Sequence, residues 1–198
     1  MHRIQAAVDT KRFVPAAVDK KKALREKFGL PVDKPVILHV GHMKYSRNVD
    51  KFLSLDDKFH GVLAVSTTTA ASKDADLEEK LRRKRNITVI DSYIPNIEEL
   101  YQAADLYLFP VVAERACIDV PLSAFEAAAC NLPVLATPYG ELREMMGKDG
   151  FYPIESLEPA ALNAAIENAL ACRTDSRKNV LAYDWETGVD ALLKLFDQ

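Results

Sequence analysis

Short runs of nearly all-apolar, often β-branched residues recur along this chain and constrain its fold more than any other feature. The runs cover residues 36–40, 61–66, 87–90, 105–110 and 133–137. Strands that are buried on both faces of a parallel sheet have this composition, whereas half-exposed strands alternate apolar and polar residues. A sixth run, residues 151–154, contains Pro153, which cannot donate to a ladder, so we expect it at the sheet edge.

Helical patterns fill the intervals between the predicted strands. They cover residues 74–85, 96–101, 121–130, 158–171 and 184–196. Asn96 and Glu99 have the spacing of a helix-capping pair. Strand–helix alternation at this spacing predicts an α/β fold, a Rossmann-like doubly wound parallel sheet of about six strands with helices on both faces.

The chain divides into three parts by its sequence patterns. Residues 1–34 are more basic and lack the strand–helix rhythm, which predicts an N-terminal arm and a surface helix that ends at Gly29. Residues 35–182 contain the predicted α/β domain, and residues 183–198 predict a C-terminal helix.

Composition and charge exclude several classes of protein. The net charge of −3 gives no global attraction to nucleic acid, so we expect no nucleic-acid partner. Cys117, Cys130 and Cys172 show neither a C-x-x-C pair nor a metal-binding spacing, which favours reduced thiols. Because no leader-like segment or bilayer-length apolar run is visible, we expect a soluble domain in the cytoplasm.

The segment after the first predicted strand is a candidate phosphate-binding loop. Gly41 allows a tight turn and a close approach to a ligand, and His42, Lys44 and Arg47 add positive charge. From the residues alone, a solvated loop with incidental basic side chains is an equal alternative. The absence of G-x-G-x-x-G and G-K-[ST] patterns disfavours a dinucleotide fold or a P-loop.

The segment after the fourth predicted strand offers a helix N-terminus and a carboxylate. The backbone N–H groups of Leu122 and Ser123 have no partner within a helix and are available to an anion. Glu126 lies one turn further among apolar residues, where a sugar diol would satisfy its carboxylate. By pattern alone, a solvent-facing Glu126 is the more frequent arrangement, and Asp119 is interpreted as the helix N-cap.

Two other candidates are weaker. Asp74 and Asp76 have a D-x-D spacing that is able to hold a divalent metal, but acids at a helix start are favoured by the helix dipole, and we expect no metal site. His39 lies inside a strand pattern and is interpreted as structural.

Six segments, in order from about residue 6 to the end, share one family's motifs. They are residues 8–15, similar to V-D-x-x-x-F-x-P; 40–50, similar to V-G-R-L-x-x-x-K-G-V-D; 94–110, similar to the stretch leading to A-D-v-x-v-x-P-S; 126–137, similar to E-A-M-A-C-G-x-P-V-V-A-T; 140–144, similar to the following G-x-x-E; and 183–186, similar to y-s-W-e. Together they resemble the C-terminal, donor-binding domain of GT-B fold, family 4-type retaining glycosyltransferases.

The resemblance implies a role for each candidate residue. Arg47 and His42 stand where the family's lysine and arginine bind the donor diphosphate. Leu122 and Ser123 would donate backbone N–H groups to it, and Glu126 matches the glutamate that binds the ribose hydroxyls. Residues 35–182 are then a nucleotide-sugar-binding, Rossmann-like domain.

The chain departs from the family pattern at one acidic position. Ile118 stands where the family has its first motif glutamate, and Asp119 is the nearest acid. This resembles a subgroup variant in which the aspartate acts on the sugar side. Arg47 and Asp119 are therefore the candidate catalytic residues.

The implied activity is transfer of a hexosyl group from a UDP- or GDP-sugar to a sugar or lipid-linked acceptor, with retention. We expect no cofactor and no metal, because side chains neutralise the diphosphate. The expected partners are the nucleotide sugar and an N-terminal acceptor-binding domain that this sequence lacks. Any peripheral contact with a membrane would be made through that domain. The alternatives are a sugar-nucleotide epimerase, a phosphorylase or a non-catalytic binding module.

Overall fold

The structure is a computed structural model that describes residues 7–65 and 73–196. Six strands form one sheet. They are β1 (Val36–Gly41), β2 (His60–Val65), β3 (Ile87–Ile90), β4 (Leu106–Phe109), β5 (Val134–Ala136) and β6 (Phe151–Pro153). All six predicted runs form strands; Ser66, at the end of the second run, lies outside the described residues.

The strand order explains where a ligand site is able to form. Every pairing is parallel, and the order is β3-β2-β1-β4-β5-β6. The chain therefore builds outward from β1 in one direction and from β4 in the other. The predicted doubly wound α/β fold is confirmed, with β6 at the sheet edge.

Six α-helices surround the sheet in the described part of the chain. They are α1 (Val18–Lys27), α2 (Ala75–Arg83), α3 (Ile97–Ala103), α4 (Leu122–Ala129), α5 (Pro159–Ala171) and α6 (Trp185–Phe196). Each helix overlaps the segment that the sequence patterns indicated, and the ends differ by less than one helical turn. No helix within residues 7–65 and 73–196 is long and apolar enough to cross a membrane.

Alternate residues of the central strands face two separate apolar clusters. Leu38 and Tyr107 pack with α1, α3 and α4 on one face of the sheet. Ile37 and Leu108 pack with α2, α5 and the 3-10 helix Val49–Ser54 on the other. The strands read as all-apolar because both faces are buried.

The predicted capping pair at the start of α3 is wrong. Asn96 precedes the helix, but its side chain makes no capping hydrogen bond. The Glu99 carboxylate instead pairs with Lys27 of α1. The Glu99 side chain, which local spacing assigned to the cap, therefore forms a salt bridge with a neighbouring helix instead.

The N-terminal arm is attached to the end of the chain. Val8 forms a parallel bridge with Asp184 and donates a hydrogen bond to the Tyr183 carbonyl oxygen at 2.8 Å. Arg177 reinforces this attachment, because Nη1 donates to Phe13 O at 2.7 Å and Nη2 donates to Thr10 O at 2.8 Å. Nη1 also contacts Ala129 O at the end of α4.

We predict that Arg177→Lys destabilises the protein, because a single ammonium cannot reproduce the planar fork that reaches three carbonyl oxygens. Leaving part-buried acceptors unpaired should lower the free energy of unfolding by about 1–3 kcal/mol in urea titrations. Arg173→Lys, at an exposed position nearby, is the control. Equal stability of the two variants would show that the fork is not needed.

Candidate functional site

The loops after β1 and β4 meet at the carboxyl edge of the sheet. Arg47 Nε donates to the Ala116 carbonyl oxygen at 2.8 Å, and Asn48 Nδ2 donates to the Pro110 carbonyl oxygen at 2.9 Å. Asn48 has a φ of 54°, a left-handed conformation that turns the chain from the first loop into the next 3-10 helix. The strand order reverses here, and in doubly wound sheets ligands bind at this point.

Three basic residues of the β1 loop cluster at this crevice. Gly41 is the last residue of β1, and His42, Lys44 and Arg47 all lie within the next six residues. Burial and the nearby charges of Arg47 and Lys44 lower the pKa of His42 below its usual value. Arg47 uses Nε for the Ala116 carbonyl oxygen, and its guanidinium carries a positive charge at the crevice.

The N-terminus of α4 lies beside the end of β1. Pro121 precedes the helix and provides no side-chain cap, so the first N–H groups, including those of Leu122 and Ser123, have no intrahelical partner. Tyr107 joins the two elements, since its hydroxyl lies 2.7 Å from Ser123 Oγ and 3.3 Å from the Val40 carbonyl oxygen. The structure thus brings together the two predicted anion-binding segments.

Glu126 is partly buried rather than solvent-facing, contrary to what pattern alone favours. Its Oε2 accepts a hydrogen bond of 2.6 Å from the hydroxyl of Tyr101, which is fully buried on α3. Burial raises the pKa of Glu126, while the Tyr101 hydrogen bond and the charge of Arg12 oppose that rise. The carboxylate is held in one orientation, and each of its oxygens has more than one acceptor lone pair.

Asp119 is not the helix N-cap, because Pro121 occupies that position. The Asp119 carbonyl oxygen accepts a hydrogen bond from Glu141 N at 3.0 Å, which turns the segment toward the loop after β5. Asp119 also lines a cleft of about 660 Å³ at the carboxyl ends of β4, β5 and β6. None of the other predicted site residues lines that cleft.

The D-x-D pair serves a structural purpose in the described part of the chain. Asp74 accepts a hydrogen bond of 2.8 Å from Tyr45 N, and Asp76 accepts one of 2.6 Å from the Tyr45 hydroxyl. Both carboxylates therefore anchor the β1 loop to the start of α2. The described residues contain no group of three or more His, Cys, Asp or Glu residues that would hold a metal ion.

Two tyrosines that the sequence patterns did not single out form the floor of the site. Tyr101 holds Glu126 and Tyr107 contacts Ser123. Both rings are fully buried, and burial raises the pKa of each hydroxyl, so they act as neutral donors. Both lie on apolar faces of their elements, and only the tertiary contact distinguishes them from ordinary core residues.

The chain is similar in sequence to known glycosyltransferases. Residues 34–172 match the family described as Glycosyl transferases group 1. The D-inositol 3-phosphate glycosyltransferase of Geodermatophilus obscurus is 28% identical over 216 residues, covering 98% of this chain and 46% of the relative. The chain therefore spans about half the length of the curated relatives it matches.

Solved structures show the same fold at lower identity. Anabaena HepE, in complex with UDP and glucose, matches with a TM-score of 0.78 at 14% identity, over 97% of this chain and 55% of HepE. A glycosyltransferase from Rickettsia africae matches with a TM-score of 0.77 at 17% identity, over 98% of this chain and 55% of that protein. Because the family match extends over most of the α/β sheet and its helices, the chain belongs to the glycosyl transferases group 1 family.

Proposed function

We propose that this chain is the donor-binding half of an enzyme that transfers a hexosyl group from a nucleoside-diphosphate sugar to a sugar or lipid-linked acceptor, with retention. The observation that supports this most directly is the meeting of Arg47, the α4 N-terminus and Glu126 around the crevice at the strand-order reversal. The Arg47 guanidinium and the partly positive N-terminus of α4 would bind a diphosphate, and the Glu126 carboxylate would accept hydrogen bonds from a diol.

The donor base we propose to test first is uracil. HepE, which shares the fold, has been solved with UDP and with UDP-glucose. A GDP-sugar is the alternative donor. The curated relatives named for inositol 3-phosphate add phosphorylated polyols to the acceptors worth assaying.

Catalysis in this proposal is mainly electrostatic. The departing nucleoside diphosphate gains negative charge, and Arg47 with the N–H groups of Leu122 and Ser123 would stabilise it. His42 adds charge when protonated. Asp119 follows Ile118, the position where the family has a glutamate, and is the proposed sugar-side carboxylate.

The acceptor site is proposed to lie on an N-terminal domain. Residues 7 and 8 lie beside α6, since a side-chain carbon on Gly188 would be 3.5 Å from Ala7 Cβ. The exposed apolar residues of α6 form a stripe next to this point: Trp185, Val189, Leu192 and Leu193. A preceding domain would enter here and cover the stripe. The isolated chain should then bind nucleotide without appreciable transfer, because it cannot orient an acceptor.

Binding to the ribose is tested by calorimetric titration of UDP and 2′-deoxy-UDP. If Glu126 accepts the diol, Glu126→Gln should weaken UDP about ten- to a hundredfold and affect 2′-deoxy-UDP much less. Tyr101→Phe should show the same selectivity with a smaller loss. The control is Glu167→Gln on α5, whose carboxylate pairs with Lys58. An equal loss for both ligands would contradict the ribose assignment, and GDP binding in place of UDP would change the base.

The pH dependence of donor binding should report His42. Its lowered pKa means that the ring is neutral near pH 7 and gains charge only in more acidic solution. A bound diphosphate favours the protonated ring, so affinity for UDP-glucose should rise about two- to tenfold as the pH falls from about 8 to 5. UDP-glucose is chosen because its esterified diphosphate does not titrate in this range. A rise of the same size in His42→Gln would exclude His42 as the source.

Donor binding should not require a divalent metal. Titrations of UDP in excess EDTA and in millimolar magnesium should give dissociation constants equal within about twofold, since protein groups supply the positive charge. A loss of binding in EDTA would show that a metal neutralises the diphosphate.

A further inference from the structure

His39 keeps an unpaired lone pair inside the protein, directly beneath the β1 loop. The residue is 1% exposed, and its Nδ1 lies 3.0 Å from the Leu108 carbonyl oxygen. A carbonyl oxygen only accepts, so Nδ1 carries the hydrogen. Burial lowers the pKa of His39 to about 4, which leaves Nε2 as a neutral acceptor near pH 7. Among the described residues, no group donates to Nε2.

The unpaired nitrogen and Arg47 stand on two sides of Gly41. A side-chain carbon built on Gly41 would lie 3.2 Å from His39 Nε2 and 3.0 Å from Arg47 Nη1. Nη1 carries N–H donors, and Nε2 of a neutral imidazole carries one lone pair. Only the absence of a side chain at Gly41 lets the two groups face each other.

We infer that His39 is a positioning residue for Arg47: a water beside Gly41 accepts a hydrogen bond from Arg47 Nη1 and donates one to His39 Nε2. The consequence for donor binding rests on the proposed function, which places Arg47 on the diphosphate. Arg47 Nε already donates to Ala116 O at 2.8 Å. A second attachment at Nη1 fixes the guanidinium plane and leaves Nη2 for a phosphate oxygen.

A neutral acceptor suits this position better than a carboxylate. A carboxylate would hold the guanidinium but would also neutralise it and compete with phosphate. The other titratable groups of the loop are His42 and Lys44. Lys44 carries only donors and offers no acceptor to Arg47. His42 is basic, and burial and the charge of Arg47 lower its pKa. His39 therefore orients the Arg47 charge without removing it.

The first test compares UDP with uridine, which lacks the diphosphate. His39→Phe keeps the ring that stacks on Tyr107 and Phe109 but removes the acceptor. It should weaken UDP about two- to tenfold and leave uridine unchanged. In Arg47→Ala the same substitution should have no further effect. His39→Gln, which retains an acceptor near the Nε2 position, should recover affinity, and His60→Phe on β2 is the matched control.

The second test does not depend on any ligand. Arginine-selective nitrogen NMR of the whole chain should show that rotation of the Arg47 guanidinium is slowed in the wild type and in His39→Gln. It should be faster in His39→Phe. Unchanged Arg47 signals in His39→Phe, with the variant folded by thermal unfolding, would overturn the inference. If the signals change but wild-type protein binds UDP no better than uridine, the positioning stands and the proposed diphosphate site is wrong.

Discussion

β1 pairs with β2 on one side and with β4 on the other, and the chain leaves the two carboxyl ends toward opposite faces of the sheet. The segment after β1 enters the 3-10 helix of one apolar cluster, whereas the segment after β4 enters α4 in the other. A crevice between the diverging loops is the geometric consequence. Each candidate residue that the motifs indicated for the diphosphate lies on one of these loops or at the start of α4, so the candidate site forms where the strand order reverses.

The floor of the crevice carries polar groups inside the core. Tyr107 lies between two other buried rings, with centroid separations of 5.9 Å from Tyr101 and 6.2 Å from His39. Unpaired buried polar atoms cost free energy, so each such group needs a partner. Tyr101 finds Glu126 and Tyr107 finds Ser123. The hydrogen-bonding requirement of the core thus orients groups at the surface of the site.

Sequence patterns predicted the strands and helices because each strand is a continuous apolar run and each helix has a helical period, and both are visible in the element's own residues. They did not predict contacts between elements. Asn96 and Glu99 have the spacing of a cap, yet Lys27 of another helix takes the glutamate. Glu126 was assigned to the ligand by motif, but its tyrosine partner lies 25 residues away on α3. No spacing rule encodes such a pair, since it depends on how α3 and α4 lie on the sheet.

Asp119 shows how far the site extends beyond the motif. Gly140 has a φ of 51°, and a side-chain carbon there would lie 1.9 Å from the Asp119 carbonyl oxygen, so only glycine permits this approach. The loop after β4 therefore packs directly on the loop after β5, and Glu141 N donates a hydrogen bond to the Asp119 carbonyl oxygen. Ile118, where the family pattern has a glutamate, is 62% exposed. The backbone of Asp119 is therefore held by the loop after β5, and under the proposed function this loop would help to position the sugar-side carboxylate.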